Sequence, residues 1–164
     1  MNLKNNIAIK GNVSITRMRS DKSIIESFTS KNMVVETGLK VLSHTWTPAA
    51  FRYQADFIAL GAGVTATTFD MTAMESIAPT LESKFISSVQ AIEPNIVTFE
   101  SIFQGDEYIE KDVNEIGLFF ANTAEFDNTE YMVARTVLPE EYRFTKGTDE
   151  YAKIVWRLTL GAIS

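Results

Sequence analysis

Three groups of residues have types and spacings that could do chemistry. The first lies in DFIALGAGVTATTFD, residues 56–70, where Gly61, Gly63 and Ala66 fit the G-x-G-x-x-G/A fingerprint of a dinucleotide-binding turn. Such a turn works by lining up backbone N–H groups at a helix N-terminus around a pyrophosphate. A strand-like run, Phe57–Leu60, precedes it. Glu82 lies about 20 residues on, where a ribose-binding acid would be expected. The helix is missing from the pattern. Thr65-Ala66-Thr67-Thr68-Phe69 is rich in β-branched residues and lacks helical periodicity, and the chain shows no βαβαβ order. The reading is a strand exit, with Ala62 and Val64 just past the strand, no helix at Thr65 and no nucleotide cofactor. The glycines would serve positive φ or close backbone approach.

The second group is acidic. Asp106, Glu107, Glu110 and Asp112 form one cluster, and Glu125, Asp127 and Glu130 another. Neither has the alternating oxygen ligands, central glycine and terminal glutamate of a calcium loop, so solvated loops are expected and no metal. The lone histidine, His44, has no G-x-S-x-G partner motif and reads as a helix-surface residue.

The third group is a pair. Glu115 and Arg135 each interrupt an apolar, strand-like run, and a short loop joins the two runs. A buried carboxylate needs a cation or several N–H donors. The spacing predicts a structural Glu115–Arg135 ion pair on neighbouring strands.

These residues need a scaffold, and most of the chain reads as strands. Val13 and Ile15 alternate with Ser14 and Thr16, and Ser20-Asp21-Lys22 turns the chain into residues 23–28. Val35, Leu39, Leu42 and Trp46 fall on one helical face, with Thr37 as cap and Pro48 beyond the end. A short helical turn is expected at Thr72–Ala78. Strands follow at Leu81–Val89, Val97–Ser101, Val113–Ala121, Tyr131–Leu138 and Tyr151–Ala162, with a turn at Glu93-Pro94-Asn95 and a polar loop at Pro139–Glu150. The pattern predicts a mainly β fold: one antiparallel, jelly-roll-like β-sandwich domain over residues 1–164, with one packed amphipathic helix.

Charge and composition narrow the function. The 164 residues carry a net charge of -6, so the body repels phosphate backbones and nucleic acid is a poor partner. Residues 1–22 hold five basic groups and one acid, leaving ten basic and twenty acidic groups elsewhere. Residues 1–22 therefore read as a basic strand or arm able to dock on a neighbouring subunit, with Arg17 and Arg19 as contacts. There is no cysteine, which excludes disulfides and thiolate chemistry in this sequence. No signal-peptide pattern or membrane-spanning run is visible, so a soluble protein made in a cytoplasm is expected.

Several segments carry a family resemblance: KNMVVETGLKVLSHTW, FIALGAGVTATT, MESIAPTLESKFI, IVTFESIFQGDEYIEKDVNEIGLFF and YMVARTVLPEEYRFTKGTDEYAKIVWRLTL. In order and spacing, over roughly residues 13–162, the chain resembles bacteriophage virion proteins of tail, baseplate and fibre-attachment modules. The resemblance implies a β-sandwich that assembles into a symmetric virion substructure, contacts other virion proteins and performs no catalysis. The expected contact residues are Arg17, Arg19, Phe51, Tyr53, Tyr142, Arg143 and Lys146. A second reading is a β-sandwich module for a host-surface carbohydrate, using Phe51, Tyr53 and Tyr142. A third is a nucleotide-dependent enzyme, which rests on the glycine loop alone.

Overall fold

The computed structural model describes residues 7–44, 54–76, 81–121 and 131–162. Its strands are β1 (Ile7–Arg19), β2 (Ile24–Val34), β3 (Gln54–Gly61), β4 (Leu81–Phe85), β5 (Ser88–Glu93), β6 (Ile96–Phe103), β7 (Asp112–Val113), β8 (Glu115–Ala121), β9 (Met132–Val137), β10 (Phe144–Thr145) and β11 (Glu150–Ala162). One helix, α1 (Glu36–His44), lies between β2 and β3.

The alternation at residues 13–28 produces the β1–β2 hairpin. Its turn is held by the Lys22 N–H donating to the Arg19 carbonyl and the Ser23 N–H donating to the Asp21 carboxylate at 2.8 Å. Lys22 sits at φ 67°, the left-handed position of a three-residue hairpin loop. β1 is not a free arm. It is hydrogen-bonded to β2 on one side and to β11 on the other, so the basic segment from Ile7 onward is a central strand.

Nine strands form one antiparallel sheet in the order β4-β3-β8-β9-β2-β1-β11-β6-β5, curled into a half-barrel. β4 and β5 are adjacent in sequence yet end up at opposite edges of that order. Only Ile86 and Ser87 join them, so the sheet must bend until its two edges come together at that corner. The corner is fixed by the Ser87 N–H donating to the Glu100 carbonyl at 2.7 Å and the Ser101 hydroxyl donating to the Phe85 carbonyl at 2.9 Å. The single strand expected over Leu81–Val89 is therefore broken, because its two halves serve different edges.

Inside the curl lies the main core. Val13, Ile15, Phe28, Phe99, Phe103, Ile154, Trp156 and Leu158 pack with Ile58, Leu60, Ile116, Leu118 and Phe120. A second cluster, Val35, Phe57, Ala59, Met74, Phe119 and Met132, sits on the opposite face of β3, β8 and β9. These three strands are buried on both faces, which explains the continuous apolar runs Phe57–Leu60 and Ile116–Phe120. Asn114 separates β7 from β8 within the expected Val113–Ala121 strand. The Pro139–Glu150 loop contains a 3-10 turn and β10, which pairs with β7.

The helix packs differently from the expected stripe. Val35, Gly38 and Val41 are buried and Leu39 is exposed. Thr37 lies inside the helix and does not cap it. The Leu42 side chain and Trp46 fall outside the described residues. The reason is Gly38, where a Cβ would overlap the Val133 carbonyl. The helix backbone itself rests on β9, so the smallest residue takes the contact. Over Thr72–Ser76 no helical turn forms.

Gly38→Val is therefore expected to push α1 off β9 and cost about 1–3 kcal/mol, the range for overpacking a filled site. In urea denaturation the midpoint should fall while the slope stays constant. An unchanged midpoint would show that the helix does not bear on Val133.

Candidate functional site

The face of β3, β8 and β9 turned away from the main core carries a set of small residues. In register across the sheet, Ser83, Ala59, Gly117, Arg135 and Met33 form one row, and Leu81, Gly61 and Glu115 form the next. The row of large residues, Phe85, Phe57 and Phe119, stands on the other side. Ala59, Gly61 and Gly117 thus leave a trough in the sheet surface. A Cβ at Gly117 would come within 2.7 Å of the Met74 sulfur, and one at Gly61 within 2.7 Å of Glu115 Oε1. Met74 and the Glu115 carboxylate occupy the space the small residues leave.

Arg135 reaches Glu115 across this trough. Its Nε donates to Glu115 Oε2 at 2.7 Å, and its Nη2 lies 2.6 Å from the same oxygen. Both side chains are fully buried. The carboxylate has three further partners, all backbone. Gly63 N–H at 3.1 Å and Ser76 N–H at 2.8 Å donate to Oε1, and Glu75 N–H donates to Oε2 at 3.2 Å. Arg135 Nη1 continues outward to the Thr65 carbonyl at 2.8 Å, the Thr67 hydroxyl at 3.2 Å and the Met71 sulfur at 3.4 Å. The pair therefore pins segment 62–76 to the sheet at both ends.

The glycine loop completes the arrangement. Ala62 and Gly63 N–H donate to the Ser76 hydroxyl at 2.6 and 3.0 Å. Val64 and Thr65 N–H donate to Glu75 Oε2, both at 2.7 Å, and the Thr65 hydroxyl donates to Glu75 Oε1 at 2.9 Å. Four consecutive amides, the groups that would cradle a phosphate in a nucleotide site, are taken by Glu115, Ser76 and Glu75. Ala62 and Val64 lie at a strand exit and no helix starts at Thr65. Neither Gly61 nor Gly63 has positive φ, so close approach to Glu115 is the reason for both glycines. The hydrogen bonds from Thr65 and Val64, with the Arg135 charge, hold the Glu75 carboxyl below its ordinary value.

The other expected residues lie elsewhere. Arg17 is tied between Glu26 at 3.2 Å and Glu150 at 2.9 Å, with its guanidinium 4.5 Å from the centre of the Phe144 ring. Burial pulls the Glu150 carboxyl up, but the hydrogen bonds from Arg17 and Gly147 and the Arg17 and Lys146 charges outweigh it and leave it lowered. Lys146 is buried, donating to the Gly105 carbonyl at 3.3 Å, and desolvation lowers its pKa. Tyr142 is stacked on Phe28 at 4.6 Å. All three are engaged within the chain, Lys146 fully buried and Arg17 and Tyr142 half-buried. Arg19 and Arg143 are exposed. Phe51, Tyr53, Glu125, Asp127, Glu130 and the His44 side chain fall outside the described residues. In the other acidic cluster, Glu107 pairs with Lys84 and Asp112 accepts the Thr145 hydroxyl. Glu82 accepts the Tyr108 N–H at 3.2 Å.

No family model, curated protein or solved structure matches this chain.

Glu75, Ser76 and Met74 were not singled out from the sequence. One signal was available: small residues at alternate positions, Ala59 and Gly61 beside Gly117, mark a trough that a nearby segment must fill. Chemically the site is a lock: Glu115 through the Gly63, Glu75 and Ser76 N–H groups, and Arg135 Nη1 through Thr65 and Thr67, hold 62–76 against β8 and β9.

Two outcomes test the lock. Arg135→Met strands the Glu115 carboxylate in the core and should cost about 3–5 kcal/mol in urea denaturation. Adding Glu115→Leu should restore only part of this, because Gly63, Glu75 and Ser76 N–H then lose their acceptor, at about 1–3 kcal/mol each. Full recovery would reduce the site to a simple ion pair. Separately, the lowered Glu75 carboxyl supports the loop at neutral pH, and that support is lost as pH falls through its depressed folded-state value. The Val64 and Thr65 amide shifts should titrate with a midpoint below the ordinary glutamate value. A midpoint at or above it would contradict the bonding described.

Proposed function

We propose that this chain is a non-enzymatic assembly unit of a bacteriophage particle, a tail, baseplate or collar protein. It packs as a symmetric oligomer in the virion and connects to fibres or other tail proteins. The supporting observation is what the lock presents. Val64 and Phe69 are large apolar residues left 51% and 49% exposed on a loop held by buried charge. Phe69 is fastened to α1, because its carbonyl accepts the Glu36 N–H at 2.8 Å. Exposed Leu39 lies on that helix, and exposed Met33 sits opposite Arg135 in the β2–β9 pair. Apolar groups held rigidly at a surface are the composition of a protein interface, where preorganisation lowers the cost of binding.

The family resemblance supplies the phage context, and the jelly-roll-like sandwich belongs to the same reading. In the sheet ladder β2 pairs with β9 at two positions, Met33–Arg135 and Val34–Ala134. A bend at so short a junction would let the two halves act as facing layers around one core. Of the aromatic residues offered for the carbohydrate reading, Tyr142 has one ring face stacked on Phe28.

Val64→Ser with Phe69→Ser should weaken self-association by about 2 kcal/mol or more, the scale of an interface hot spot, with the melting temperature unchanged. Sedimentation velocity reads this directly. Immunogold labelling of intact particles checks the wider proposal: label at the tail or baseplate supports it, and absence from purified particles overturns it.

A further inference from the structure

The two edges of the curled sheet are treated differently. β4 carries Glu82 and Lys84, and the segment after β6 covers it: Glu107 pairs with Lys84, Lys111 lies 3.5 Å from Glu82, and the Tyr108 N–H donates to Glu82. This is how proteins blunt an edge, with charge and cover. β5 has neither. Its sequence, SVQAIE, holds no lysine or proline, and its only charge is Glu93 at the end. On its outer side no described strand pairs with it.

The apolar rows of the core also run off this edge. Ser30, Val13, Trp156, Phe99 and Val89 share one row, and Leu158, Val97 and Ala91 the next. Phe99 is buried, yet Val89 beside it is 58% exposed, and Phe85 at the same corner is 57% exposed.

We infer that β5 is the pairing edge for a second copy of this chain, joined antiparallel about a twofold axis at Gln90. That register sets Gln90 against Gln90 and Val89 against Ala91, so the inward apolar residues of both copies share one face. The β5 register is regular from Ser88 to Ala91 and bulges between Ala91 and Glu93, so Glu93 lies beyond the regular stretch that the two copies pair and no two acids meet across it. A strand added here continues the sheet and covers the exposed ends of the apolar rows. The choice of a second copy as partner rests on the assembly reading above. That no described strand pairs with the outer side of β5 is an independent observation.

The absence of cysteine makes the register directly testable. Gln90→Cys, oxidised at dilute concentration, should form a disulfide-linked dimer, while Thr29→Cys on the exposed face of β2 should not. Val89→Lys, checked for an unchanged melting temperature, should shift the sedimenting species to a smaller one. The inference is overturned if Gln90→Cys links no faster than Thr29→Cys, or if Val89→Lys leaves the assembly intact. Should the Val64/Phe69 variant dissociate while Val89→Lys does not, assembly stands and the edge fails. A chain that sediments as a monomer at every concentration sinks both.

Discussion

The structure depends on one carboxylate. Glu115 is buried where an unpaired anion would cost several kcal/mol. It is tolerated because three backbone N–H groups and the Arg135 guanidinium converge on it. That convergence dictates the surroundings. Gly61 and Gly63 must lack side chains so that the carboxylate fits, and Gly117 must lack one so that Met74 and Phe119 can close over the strands. Segment 62–76 must return to the sheet to bring the amides of Glu75 and Ser76 into reach. Helix α1 then docks on the same segment through the Glu36 N–H and Phe69 carbonyl. Charge, small residues, loop and helix form one unit.

This changes the meaning of the glycine motif. Successive N–H groups in a tight turn form a concavity that favours an anion. In a nucleotide site the anion is a phosphate. Here the anions are Glu115 and Glu75, supplied by the chain itself, and they use the loop for cohesion. An open groove of about 410 Å³ remains beside the loop, lined by Thr65, Asp70, Met71 and Glu75 among others. Its acids are already engaged by the loop's own donors, as Asp70 is by the Thr68 hydroxyl at 2.7 Å. Val64 and Phe69 are the large apolar residues exposed on this loop, and the proposed assembly would use them.

Much of this was legible in the residues. Alternation marked the β1–β2 hairpin, β6 and β11, and charges set in apolar runs drew attention to Glu115 and Arg135. The β-branched stretch after Gly63 argued against a helix. What escaped had physical causes. The curl hides in a two-residue link, because alternation continues through Ile86 and Ser87 while the chain changes edge. Of the expected helix stripe, Val35 is buried but Leu39 is exposed, because close backbone packing on β9 prefers Gly38 where a hydrophobic stripe would rank leucine first. The partners that Arg17, Tyr142 and Lys146 find within the chain, Glu150, Phe28 and the Gly105 carbonyl, come from distant parts of it and leave no local signal. Glu75 and Ser76 gave no local signal, since their role exists only once Glu115 is beneath them.

Native-state hydrogen exchange at individual amides tests the central claim most directly. If Glu115 anchors segment 62–76, the Gly63, Glu75 and Ser76 N–H groups should exchange only on opening as costly as that of the β8 core amides. Exchange of these three amides at the rate of an exposed loop, with β8 still protected, would contradict it.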